Sequence, residues 1–376
     1  MPWQESSVET LRQEFVMLAS QEEANIRELC RRFAISPATA YTLLARYRQE
    51  GMDGLQDRSR RPLHSPTQTD PAREAAVCAV RAAHPAWGGR KIHRYLLDHG
   101  ASAVPAASTI TDILRRHDLL DRTQSAHHRP WQRFEAAAPN DLWQMDFKGH
   151  IALRQGRCHP LTVLDDHSRY CLALAACGNE QTGTVQNQLI ALFERYGLPW
   201  RLLADNGAPW GDGSARYTAL TVWLLRLGIA VSHGRPYHPQ TQGKEERFHR
   251  TLKAEVLAGE PFAHLLAAQE RFDDWRLSYN HDRPHEALAL ATPSSRYVPS
   301  ARRYPARLPE IEYGPDDAVR KVQEDGELSF ANQVFRVSKA FRGERVAIRP
   351  TPTDGVLAIY FMTHRIGQID LRDPVE

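Results

Sequence analysis

The sequence predicts a multidomain chain: α-helical helix-turn-helix modules, an α/β core with a mixed five-stranded sheet, and a small β-barrel-like module. Three observations carry this. Up to about residue 120, apolar residues recur with the helical period, and the segments open on capping residues. At Asn140 the apolar period drops to that of a strand. The last stretch, about 55 residues, is a series of short alternating segments broken by Gly, Asn and Asp.

Composition sets the outer bounds. A chain of 376 residues is too long for one ordinary domain. Hydrophobic content of 42% and charged content of 25% are those of soluble globular protein. The net charge of +3 leaves any nucleic-acid reading to local basic clusters. No apolar run approaches the ~20 residues of a membrane span, so no membrane partner is expected. Met1-Pro2-Trp3-Gln4-Glu5 lacks the basic and apolar stretches of a secretory signal. The 5 cysteines form no C-x-x-C pair and no histidines sit at zinc-finger spacing, which argues for a reducing cytoplasm and against zinc.

Residues 1–56 form the first module, which reads as helices over 8–50. Ser36 is an N-cap with Pro37 at the first helical position, so a short helix, a tight turn and a capped second helix make a helix-turn-helix. Its second helix would enter a major groove, with Ser36, Ala38, Thr39 and Tyr41 near DNA and Arg46 and Arg48 near phosphate. Residues 57–70 form a basic, Pro-bearing linker in which Arg58, Arg60 and Arg61 can track a phosphate backbone. Residues 71–120 repeat the helical pattern. Ser108 is taken as the cap of its last helix, Thr109 and Thr111 face DNA, and Arg90, Lys91, Arg115 and Arg116 serve phosphates. A polar linker covers 121–139.

The core spans 140–291. In Trp143-Gln144-Met145-Asp146-Phe147 the apolar residues point one way, which leaves Asp146 in mid-strand, where aspartate is disfavoured. Strands at Cys158–Leu164 and Tyr170–Ala176 follow, with Asp165 and Asp166 holding the turn between them. A helix leads to Arg201–Ala204, a short strand that ends in Asp205, and a further helix leads to a last strand at Ile229–Val231. The segment from Pro236 to Lys253 is a loop feeding a helix. Phe248, Leu252 and Val256 form its apolar stripe, Glu245 falls on that packed side, and Glu246, His249, Arg250 and Lys253 fall on the other. His238, Gln240, Lys244 and Arg250 are candidates for contacts to DNA or beside a metal, and Lys253 faces the DNA backbone. A Pro- and Arg-rich linker at 292–317 precedes the β-rich module at 318–376.

Asp146, Asp205 and Glu246 come from three separate places, with 58 residues between the first two and 40 between the second pair. Adjacent strands can set Asp146 beside Asp205, and a packed helix can add Glu246. Three converging carboxylates repel one another and require divalent cations, and oxygen ligands favour Mg²⁺ or Mn²⁺. Two ions about 3.5–4 Å apart would clamp the attacking and leaving oxygens of a phosphodiester.

Trp143-Gln144-Met145-Asp146, Leu203-Ala204-Asp205-Asn206-Gly207 and His238 through Lys253 resemble the three signatures of the integrase core, the RNase H-like domain of DDE transposases and retroviral integrases. The helical start and the barrel-like (SH3-like) end resemble a bacterial insertion-sequence transposase. The resemblance implies catalysis by Asp146, Asp205 and Glu246, with two Mg²⁺ or Mn²⁺ ions per site. It also implies binding of transposon ends, strand cleavage, and transfer of the freed 3′-hydroxyl to target DNA. A homodimer or higher oligomer on double-stranded DNA in the cytoplasm (the bacterial nucleoid) follows, because two ends must be held together. Two departures stand out: helix-turn-helix units replace the zinc module of retroviral integrases, and Asp205 to Glu246 is longer than in those enzymes. A non-catalytic DNA-binding regulator and a structure-specific nuclease are the alternatives.

Overall fold

The computed structural model describes residues 7–58, 68–120, 135–205, 209–211, 217–233 and 243–372. The chain divides into two units, Met1–Gln68 and Thr69–Glu376. No helix among the described residues is long and apolar enough to cross a membrane.

The first unit contains helices α1 (Val8–Ala19), α2 (Ile26–Arg32) and α3 (Pro37–Glu50). Each starts where a side chain accepts a hydrogen bond from a first-turn N–H: Ser7 from Thr10, Asn25 from Glu28, and Ser36 from Thr39. Their apolar faces meet at Phe15, Val16, Cys30, Ala40, Leu43, Leu44 and Leu55. Helices α2 and α3 form the expected helix-turn-helix, and Ala34 takes a left-handed φ of 51° in the turn.

The second unit begins with α4 (Pro71–Ala83), α5 (Gly89–Asp98) and α6 (Ala107–Arg116) around Val77, Trp87, Ile92, Ile110, Ile113 and Leu114. Helix α6 starts ahead of Ser108. Its N-cap is Ala106, which makes no side-chain hydrogen bond. Tertiary contacts set the start instead: His93 Nδ1 lies 2.8 Å from Pro105 O, and Gly89 lies directly under Ala107 and Thr111. The N-terminus of α5 faces the polypeptide beyond the sheet. Arg90 approaches Glu286 to 3.7 Å, and Lys91 is half-buried beside Arg283, Glu255 and Glu286. Burial pushes the Lys91 ammonium down to about 8.

The core sheet has strands β1 (Trp143–Phe147), β2 (Ile151–Ala152), β3 (Arg157–Asp165), β4 (Cys171–Cys177), β5 (Arg201–Ala204) and β6 (Ala230–His233). Strand β3 pairs antiparallel with β4 and β1, and β1, β5 and β6 run parallel, so the sheet is mixed as expected. The short β2, absent from the sequence reading, pairs with the start of β3. Helices α7 (Thr182–Tyr196) and α8 (Ala219–Arg226) cover one face, where Trp143 and Met145 pack with Val185, Leu189, Phe193 and Leu220. Helices α9 (Gly243–Leu252) and α10 (Leu265–His281) cover the other, where Phe248, Leu252, Phe272 and Trp275 meet Leu164 and Leu174. A π-helical turn, Lys253–Leu257, follows α9. Helix α10 also protects the free edge of β4: Asn280 bonds both backbone groups of Cys171, and Gln269 bonds Ala176 N and Leu174 O.

The Pro- and Arg-rich stretch after α10 is a strap on the core. Tyr297 stacks on Tyr170 at 4.4 Å, Ser300 N bonds Tyr196 O, and Leu198 N bonds Arg302 O. Beyond it come β7 (Ala318–Lys321), β8 (Glu327–Phe330), β9 (Gln333–Arg336), β10 (Arg345–Pro350), β11 (Val356–Phe361) and β12 (His364–Asp370). Their order is β12-β11-β10-β7, with β8-β9 as a separate hairpin. Ala331 and Asn332 both have positive φ, as a two-residue hairpin turn of matching twist requires. Among the described residues no strand pairing joins the hairpin to the sheet, so the expected barrel stands as a sheet and a hairpin over a shared core. Val222 and Leu225 of α8 belong to that core and seat the module on the central domain.

Two outcomes follow from the α4–α6 module. A Cβ at Gly89 would lie closer than 3.0 Å to Ala107 O and Thr111 Oγ1, whereas one at Gly88 meets nothing within 4 Å. Gly89→Ala is therefore expected to cost about 1–3 kcal/mol in denaturant unfolding, with Gly88→Ala, which meets no clash but changes the N-cap of α5, as the milder comparison. Lys91 keeps its proton to about pH 8 in the fold and to about 10.4 in the unfolded chain. Its burial penalty is thus complete below about pH 8 and fades as pH rises toward the unfolded value. Lys91→Met is expected to raise the unfolding midpoint at neutral pH, and the gain should shrink between about pH 8 and 10.

Candidate active site

Strand pairing builds the site. Strand β1 runs parallel to β5 with Met145 opposite Ala204, and the next residues along the two strands are Asp146 and Asp205. The odd mid-strand aspartate thus faces a second one across one inter-strand spacing. Burial, then repulsion from Asp205, pushes the Asp146 carboxyl up to about 6, against the weaker pull of the Phe147 backbone and Lys148. Asp205 sits at the exposed end of β5, where His233 Nδ1 lies 3.3 Å from its carbonyl oxygen.

Helix α9 crosses behind Asp146. Glu245, not Glu246, is the buried residue of the pair, only 1% exposed. This fits its predicted place on the packed side. Its Oε2 lies 3.1 Å from Thr162 Oγ1, and Oε1 has no hydrogen-bond partner. Burial and the charge of Asp146 push its carboxyl well up, toward the protonated form. His249, expected on the outer side, is buried instead. Its ring contacts Thr162 Oγ1 at 2.9 Å and approaches Asp146 Oδ2 at 3.7 Å, and burial lowers it to about 4. The physical reason is angular. His249 lies only about 40° beyond Glu245 on the helix, so it belongs to the edge of the packed stripe. The spacing of Glu245 and His249, one turn apart, was the signal available for this buried cluster. Thr162 on β3 joins it through Asp146 O at 2.9 Å, and nothing in the sequence marked it.

Asp165 holds the β3–β4 turn together as expected, whereas the Asp166 carboxylate bonds outside the turn. Asp165 accepts from Ser168 N, Ser168 Oγ and Asn140 N, and Asp166 from Ala136 N and Gln144 Nε2. Lys244, in the first turn of α9, pairs with Asp166. Glu246, Arg250 and Lys253 are exposed along α9 and the turn after it. The structure thus brings Asp146 and Asp205 together and leaves Glu246 exposed beside the buried Glu245. Among the described residues no three His, Cys, Asp or Glu side chains are placed to hold a metal ion. The paired oxygens of Asp146 and Asp205, mutually repelling at neutral pH, nevertheless have the chemistry that suits a hard divalent cation.

The remaining predicted residues are spread over the helical modules. Ser36, Ala38, Thr39 and Tyr41 are exposed on the first half of α3, and Arg48 is exposed near its end. Arg46 turns back to Gln56 O at 2.7 Å, and Arg58 pairs with Glu50. In the second unit Thr109 is half-buried, and Thr111 bonds Ala107 O beneath Gly89. Arg115 pairs with Asp112 and Arg116 with Glu74, while Arg90 and Lys91 face the Glu286 side. Arg60, Arg61, His238 and Gln240 lie outside the described residues.

Known families match the chain in segments. The Helix-turn-helix domain matches residues 11–62 and the Homeodomain-like domain 39–114. Integrase core domain families match 136–239 and 227–293, and the IS481 family transposase C-terminal domain matches 317–375. A 39.2 kDa protein of insertion element IS476 from Xanthomonas euvesicatoria is 25% identical over 268 residues, 70% of this chain and 75% of that protein. A 31.7 kDa protein of insertion element IS407 from Burkholderia multivorans is 26% identical over 157 residues, 42% of this chain and 55% of that one. The magnesium-bound catalytic core of HTLV-2 integrase aligns over 44% of this chain and 100% of its own, with 13% identity and a TM-score of 0.34. The chain is thus similar, domain by domain and in order, to insertion-sequence transposases with helix-turn-helix modules, an integrase core and the C-terminal domain of the IS481 family.

Proposed function

We propose that the protein is a DNA transposase that binds the ends of its insertion sequence, cleaves them, and transfers the freed 3′-hydroxyl into target DNA. The observation that carries this is the pairing of β1 with β5, which sets Asp146 beside Asp205 at the open end of two parallel strands. Asp146, Asp205 and Glu246 would hold two Mg²⁺ or Mn²⁺ ions. When bound, these would supply Lewis-acid stabilisation for the oxygens of the scissile phosphodiester.

The chain's own residues prepare the rest. The buried Glu245, Thr162 and His249 back the strand that carries Asp146 and fix its main chain. Arg250 and Lys253, exposed on the same side as Glu246, offer charges to a DNA backbone. The exposed first half of α3 presents Ser36, Ala38, Thr39 and Tyr41 for a major groove. Thr109, Arg115 and Arg116 of the second helical module, with Arg58, Arg60 and Arg61 of the linker, would add contacts outside the groove. The C-terminal sheet and hairpin are assigned as a barrel-like module of the same machine. Two ends must be brought to one place, so the active form is assigned as a homodimer or a higher homo-oligomer on DNA.

A strand-transfer assay with end-bearing duplexes and Mn²⁺ tests the assignment. Asp146→Asn, Asp205→Asn and Glu246→Gln are each expected to lose more than about 100-fold in joining. End binding should stay within about threefold of the parent, because the helical modules carry it. Joining retained in any of the three would remove that residue from the site. Cleavage without joining in the parent would make the protein a nuclease, and binding with neither would make it a regulator.

A further inference from the structure

Lys244 stands two residues before Glu246, in the first turn of α9. A lysine there invites assignment as a phosphate contact. Its side chain does something else: it reaches across to the β3–β4 turn, where Nζ pairs with Asp166 Oδ1 and lies 3.2 Å from Asp166 O. Asp166 is 1% exposed, and its carboxylate accepts two further hydrogen bonds. Oδ2 accepts from Ala136 N at 2.7 Å, and Oδ1 accepts from Gln144 Nε2 at 2.6 Å. Gln144 lies on β1, two residues before Asp146. One buried carboxylate therefore links the start of α9 to the strand that carries Asp146.

The apolar contacts of α9 cannot set its register alone. Phe248 and Leu252 lie against Leu164, Leu174, Trp275 and Tyr279, and hydrophobic contact is non-directional. An ion pair on a buried, hydrogen-bonded carboxylate has one good geometry and a penalty for leaving it, and here the Asp166 side chain is fully buried while that of Lys244 is 19% exposed. We propose that Lys244 is a positioning residue whose ion pair with Asp166, added to the Glu245 and His249 contacts with Thr162, sets the start of α9 in register on β1 and so holds Glu246 in reach of Asp146 and Asp205. This rests on the three-carboxylate site proposed above and adds a residue that touches neither metal nor DNA.

Calorimetric Mn²⁺ titration of the full chain, without DNA and at fixed neutral pH, reads positioning directly. Binding to a random-sequence duplex over a salt series reads phosphate contact. Lys244→Met is expected to weaken Mn²⁺ binding by about 10-fold or more, the range for residues that orient metal ligands. Lys244→Arg, which can still grip the carboxylate, should stay within about threefold. The salt dependence of DNA binding should not change. If Lys244→Met fails to fold with Asp166 stranded, the pair Lys244→Met with Asp166→Asn leaves no lone charge, and the same tenfold criterion applies. Parental Mn²⁺ affinity in both Met-bearing proteins would overturn the proposal. So would a salt slope shallower by about one with Mn²⁺ binding intact, which marks a phosphate contact, or the absence of saturable Mn²⁺ binding in the parent. A parent that binds Mn²⁺ with this Lys244 dependence but joins no DNA would overturn the transposase assignment and leave the role of Lys244 standing.

Discussion

Two neighbouring carboxylates cannot both carry charge cheaply, and the parallel register of β1 on β5 sets Asp146 beside Asp205, the residue that follows β5. Folding is opposed at this point. Asp146 keeps its proton up to about pH 6 in the fold and to about 4 in the unfolded chain. Its contribution to stability therefore falls as pH rises across that window and stays lost above it. The surrounding hydrophobic layers, with Trp143, Met145 and Phe193 on one face and Phe248, Leu252 and Trp275 on the other, must offset the strain. Such a local conflict inside an otherwise consistent fold is what a site prepared for a cation looks like.

Helix α9 carries the same tension on a smaller scale. It brings a buried glutamate to the back of an aspartate that is already crowded, and Thr162 and His249 receive it. A substitution at Glu245 therefore acts on folding as well as on the site, so the two adjacent glutamates differ in kind. Glu246 is exposed where a ligand could reach it, while Glu245 belongs to the packing that fixes Asp146. The strap of Tyr297, Ser300 and Arg302, and the seating of the C-terminal sheet on α8, extend that rigid frame.

Much of this was legible in the residues themselves. The change of period at Asn140, the disfavoured aspartate in Trp143–Phe147 and the cap Ser36-Pro37 all correspond to observed elements. The short alternating segments of the C-terminal stretch correspond to observed strands, because turn residues bound them. What failed depended on tertiary contact. The start of α6 follows from Gly89 and His93 rather than from a capping serine. His249 was assigned outward because it sits at the edge of the stripe, where rotation alone does not decide. The ion pairs of Lys244, Arg90 and Arg116 with Asp166, Glu286 and Glu74 were not legible either, because only the fold brings those acids near.

Asp146 and Asp205 form a crowded pair that a divalent cation would relieve. This is tested most directly by the thermal unfolding of the parent and of Asp205→Asn at neutral pH, each with a chelator and with excess Mn²⁺. With chelator, Asp205→Asn should be at least as stable as the parent, because one charge of the crowded pair is gone. With Mn²⁺, only the parent should gain stability. A less stable Asp205→Asn under chelator, or an equal gain from Mn²⁺ in both proteins, would contradict it.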